Sequence, residues 1–112
     1  MPRNLLHKRL GLMPGNYVIE SVNVEGWGSR VEVMCLYQYP PDEKYLTLIF
    51  ENCRSLEWYV QRTATEITQM ENAQLLTHDL GEGDYNRTAR FATTIIELII
   101  SYGKLKIIQE DK

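Results

Sequence analysis

The chain has 112 residues, of which 44% are hydrophobic, 24% charged and 10% aromatic, and its formal charge is −3. That composition excludes disordered, collagen-like and coiled-coil chains, and the length allows one domain over 1–112. The mild acidic balance also argues against a nucleic-acid binder, which neutralises phosphates with a surplus of Lys and Arg.

Residues 1–16 read as a short helix and a lead-in. Asn4 is placed to cap, Leu6 and Leu10 lie four apart, and Gly11 is placed to stop the helix before Pro14-Gly15-Asn16 breaks the chain. So short a helix depends on docking its leucines, which leaves Arg3, His7, Lys8 and Arg9 facing water rather than a membrane or RNA. From Tyr17 the period becomes two, and 17–109 reads as an antiparallel β core. Tyr17 to Val24 forms a strand, Glu25-Gly26-Trp27-Gly28-Ser29 a hairpin turn, and Arg30 to Tyr39 the clearest strand. Val31, Val33, Cys35, Tyr37 and Tyr39 share one face of it, the core face over Val31 to Cys35. Met34 and Leu36 on the other face call for a cover, for which the N-terminal helix is the candidate.

Pro40-Pro41-Asp42 turns the chain into a third strand, Lys44 to Glu51. After a bend at Asn52 to Ser55, a fourth strand places Leu56, Trp58 and Val60 together. The stretch 62–71 suits either period and is read as strand from its neighbours. Gln74 to Leu80 is a strand closed by Gly81-Glu82-Gly83-Asp84. Arg87 to Ser101 holds one long bent strand or two, and Tyr102-Gly103-Lys104 reverses the chain into Leu105 to Gln109. The polar tail 110–112 is expected to fray. The expected fold is mainly β (all-β or α+β), a roll, sandwich or partial barrel of about seven antiparallel strands with one short N-terminal helix.

No apolar run precedes His7-Lys8-Arg9, so no secretion signal is expected, and Thr94 to Ser101 is too short to cross a bilayer. The compartment expected is the cytoplasm, with Cys35 and Cys53 reduced and no membrane partner.

Reactive residues form no recognisable constellation. Cys53 and His78 are the one conceivable nucleophile and base, but no motif surrounds either, and the expectation is no catalytic residue. His78, Asp79, Glu82 and Asp84 offer an imidazole and three carboxylates, yet they lack the spacing of a calcium loop and further ligands for zinc. They read as a solvated turn, with no metal and no cofactor. A small-ligand site would draw on Arg54, Arg90 and His78 around an apolar cavity.

Aromatic residues carry the leading functional reading. Trp27 sits between two glycines at a hairpin tip, where burial is hard, and Tyr37, Tyr39, Tyr45 and Tyr59 fall on strands that cluster if paired in sequence order. With Glu82 and Asp84 as an acidic element, they are the candidate protein interface. A second copy of the chain is a further candidate partner, since sheet edges invite self-pairing.

Three phrases resemble a known group: Leu12-Met13-Pro14-Gly15-Asn16-Tyr17-Val18, Phe50-Glu51-Asn52-Cys53-Arg54-Ser55-Leu56-Glu57-Trp58 and Glu97-Leu98-Ile99-Ile100-Ser101-Tyr102-Gly103-Lys104-Leu105. They are similar to small bacterial antiparallel β-domain proteins, some of them grouped with the immunity proteins of toxin systems. The resemblance implies an antiparallel β fold and a protein-neutralising role, and it carries over no catalytic or ligand residue.

Overall fold

Alternating apolar residues need a second layer to cover them, and this chain supplies that layer by folding one sheet onto itself. A computed structural model describes residues 5–60, 73–81 and 87–111. Helix α1 (Leu6–Leu10) precedes strands β1 (Asn16–Glu25), β2 (Arg30–Tyr39), β3 (Asp42–Glu51) and β4 (Ser55–Val60). Then come β5 (Ala73–Asp79), β6 (Arg87–Thr93), β7 (Ile96–Tyr102) and β8 (Lys104–Asp111). All pair antiparallel in one open sheet, in the order β4-β7-β6-β5-β1-β2-β3-β8. The strand reading of 62–71 lies outside the described residues.

The sheet doubles over at a corner. β3 continues into β4 through Asn52–Arg54, and β7 into β8 through Gly103, so the two long bent strands remain partners. The Gly103 N–H donates to the Glu51 carbonyl at 3.0 Å and the Arg54 N–H to that of Ser101 at 2.8 Å. Asn52 adopts φ 55°, a left-handed conformation that asparagine tolerates better than most residues. Folding over brings Phe50 onto Phe91 and Tyr102, with ring centroids 6.0 and 4.9 Å apart. Between the halves lie Tyr37, Leu46, Leu48, Phe50, Phe91, Leu98 and Ile100, all fully buried. Each such side chain contributes about 1.5–3 kcal/mol of transfer free energy.

Several expectations change. Among the described residues the strands number eight. Of the two readings of the run from Arg87, one strand or two, the structure has two, split at Thr93: its hydroxyl accepts the N–H groups of Ile95 and Ile96 and donates to the Ile96 carbonyl at 2.8 Å. The tail does not fray as far as Asp111, since Glu110 pairs with Tyr45 and Asp111 with Lys44, whose ammonium lies 2.8 Å from the carboxylate. Helix α1 does not cover Met34 and Leu36. Leu6 instead enters the core on the inner side, while Met34 on the outer face stays 38% exposed. Leu56, Trp58 and Val60 do share a face, opposite Ile100, Leu98 and Ile96. Trp58 and Val60 nevertheless remain exposed; among the described residues β4 pairs only with β7, at the end of the sheet.

β5 carries a device that alternation alone does not reveal. A register shift between Leu75 and Thr77 leaves Leu76 exposed, so that Ala73 and Leu75 point inward and, after the bulge, His78 and Leu80 do too. Gly81 then adopts φ 81° against β6, where a Cβ would stand 2.4 Å from the Thr88 carbonyl oxygen, so glycine alone fits.

Candidate functional site

The β1–β2 hairpin closes at Glu25↔Arg30 and leaves four residues, Gly26 to Ser29, for the turn. Gly26, Trp27 and Gly28 all have positive φ, and Trp27 stands at φ 61°, ψ 23°. A left-handed backbone is routine for glycine and costs a side-chain-bearing residue about 1–2 kcal/mol. Ser29 holds the turn: its hydroxyl donates to the Gly26 carbonyl at 2.7 Å, and its N–H donates to the same oxygen at 3.1 Å. Below, Arg30 bonds Glu25 at 2.5 Å and approaches Glu32 at 3.4 Å. The indole at the top is fully exposed, at 107% of its reference area.

The corner of the sheet comes up against this tip. The Cys53 N–H donates to the Ser29 carbonyl at 2.9 Å, which brings Cys53, Arg54 and Leu56 beside Val24 and Trp27. Together they line an open cleft of about 420 Å³. The exposure of Trp27 was legible in the sequence; the joining of Arg54 and Leu56 to it was not, because it depends on a contact between the β1–β2 turn and the β3–β4 bend.

The tyrosines do not gather into one surface. Tyr37 is buried, and its hydroxyl donates to the Met13 carbonyl at 2.5 Å. Tyr39 is 39% exposed near the Pro40-Pro41 turn, and Tyr45 lies half-buried opposite Leu36. Tyr59 stands on β4, exposed opposite Glu97. Sequence-order pairing fails after β3, whose second neighbour is β8 rather than β4, and this separates Tyr59 from the others. Glu82 and Asp84 lie outside the described residues.

His78 has a structural task. It is buried, stacked parallel on Phe91 at 6.5 Å and edge-on to Tyr17 at 5.2 Å. Its Nε2 accepts the N–H of Leu6 at 2.9 Å, which requires that nitrogen to be unprotonated. Leu5, the N-cap residue of α1, offers no side-chain cap, so His78, 72 residues away from Leu6, satisfies one of the amides that a helix start leaves open. Asp79 turns to its own loop, accepting the Gly81 N–H at 2.9 Å. Arg90 lines a shallow cleft with His78 and Asp79, whereas Arg54 belongs to the Trp27 cleft, so the three proposed ligand-binding residues divide between two places. Among the described residues no group of three His, Cys, Asp or Glu is placed to hold a metal ion.

Both cysteines are free thiols. Burial pushes Cys35 up to about 12 and also raises Cys53, whose Sγ lies 3.4 Å from the Phe50 carbonyl oxygen. A nucleophilic cysteine needs the opposite shift. Among the described residues no helix is long and apolar enough to cross a membrane. No model of a known protein family matches the chain, and no curated protein matches it in sequence.

Proposed function

We propose that the chain is a non-catalytic protein-binding domain whose contact point is the Trp27 tip with the cleft below it. One observation carries this reading: a fully exposed indole on a left-handed backbone, where a glycine would sit without strain. Packing does not account for such a residue, and local strain of this kind collects at functional positions. Trp and Arg dominate interface hot spots because they offer large rigid area and multiple donors, and Arg54 lines the same cleft as Trp27. The raised thiols favour a role without covalent chemistry.

The specific form we favour is neutralisation of another protein, as an inhibitor or immunity protein. A net charge of −3 suits a basic partner, steering encounter more than it adds affinity. Glu82 and Asp84 extend the acidic element of that proposal. The test compares wild type with Trp27→Ala for binding of a partner isolated with the wild type, alongside thermal unfolding. Loss of at least about tenfold in affinity with an unchanged melting temperature is expected, since hot-spot truncation costs about 2 kcal/mol or more. Unchanged binding with lowered stability would overturn the reading.

A further inference from the structure

β8 ends the sheet opposite β4, and among the described residues it pairs on one side only, with β3. Its register against β3 is unbroken from Glu51↔Lys104 to Lys44↔Asp111, and it contains neither proline nor bulge. An edge of that length leaves alternate N–H and C=O groups open along its outer side. Lysines on an edge usually repel a second strand. This edge differs because its charge is polarised. Lys104 and Lys106 occupy its first half and Glu110 and Asp111 its end. Ile108, 46% exposed, stands between Lys106 and Glu110 on the solvent-facing side.

We infer that two copies of this chain associate through antiparallel β8–β8 pairing about a two-fold axis at Ile108. A two-fold perpendicular to the sheet keeps each face on its own side, so residues of like facing come opposite each other. Ile108 then meets its counterpart, and Lys106 of each copy faces Glu110 of the partner subunit, twice by symmetry. Moving the axis to Ile107 would set Lys106 against Ile108 and lose that match. Asp111 stays engaged with Lys44 and is not needed. The proposed joint is a strand addition, in which backbone hydrogen bonds give affinity and the side chains fix register. It lies on a different strand from the Trp27 tip and does not depend on the function proposed for that tip.

Sedimentation velocity over the micromolar range tests this on wild type, Lys106→Glu, Glu110→Lys and the double variant, each checked for fold by circular dichroism. The wild type is expected to dimerise. Each single reversal places like charges across the joint and is expected to weaken association by about tenfold or more, and the double reversal to restore it. In a Cys53→Ser background, Ile108→Cys is expected to give a disulfide-linked dimer on mild oxidation, while Glu57→Cys on β4 is not. A wild type that stays monomeric, a dimer indifferent to the single reversals, or a folded double variant that fails to reassociate would overturn the inference.

Discussion

His78 joins parts of the chain that local sequence cannot connect. An acceptor nitrogen on β5 caps a helix at the N-terminus, and the same ring fills the space between Tyr17 and Phe91. Removing it leaves the Leu6 N–H without that acceptor and opens a cavity. His78→Ala is therefore expected to lose about 2–4 kcal/mol in chemical denaturation. His78→Gln, which offers a carbonyl oxygen near the former Nε2, is expected to lose less. Equal losses for both variants would show that ring packing alone matters. In the sequence this residue read as a member of an acidic turn, beside Asp79, Glu82 and Asp84. Alternation could not decide its direction, because the bulge at Leu76 reverses which residues of β5 face inward.

At the scale of elements, the strands were legible wherever one face meets the core. Val31, Val33, Cys35 and Tyr37 on β2, and Leu46, Leu48 and Phe50 on β3, are all buried as their period-two spacing requires. Pairings that close long loops were not legible. Nothing local distinguishes β8 from β4 as the neighbour of β3, and the corner at Asn52 and Gly103 settles it through backbone bonds. The helix was visible in outline, but its docking face was misread. Leu6 is fully buried within the core, so α1 is held from the inner side of the sheet. A five-residue helix has little stability of its own. Leu6→Ala is expected to cost about 2–4 kcal/mol and to deprotect the α1 amides in hydrogen exchange. A change below about 1 kcal/mol would mean that the leucine is not a core residue.

Across the whole molecule, the two halves of the sheet each hold a buried phenol. Tyr17 belongs to β1, and Tyr102 on β7 donates to the Leu80 carbonyl. Burial raises both above the usual tyrosine value, strongly so for Tyr17, where nearby Tyr37 adds to the effect. The sign follows from the acid involved. A raised folded-state value favours the neutral phenol, so its stabilisation is present below about pH 10 and is lost as pH rises further. In an absorbance titration of tyrosinate, at least the phenols of Tyr17 and Tyr102 are expected to ionise only together with cooperative unfolding. Ionisation of all seven tyrosines before any change in circular dichroism would contradict the packing described here.

The molecule also spends stability at one place where its fold does not require a side chain. Trp27 combines complete exposure with a left-handed backbone, and the functional reading rests on that combination. Equilibrium unfolding of Trp27→Gly against the wild type tests it most directly, because the substitution relieves the backbone and removes only exposed surface. The account predicts that the variant is at least as stable as the wild type, with a gain of up to about 1 kcal/mol at an unchanged m-value. A loss of about 3 kcal/mol or more, the cost of emptying a buried tryptophan site, would show that the indole is packed into the fold and would contradict the account.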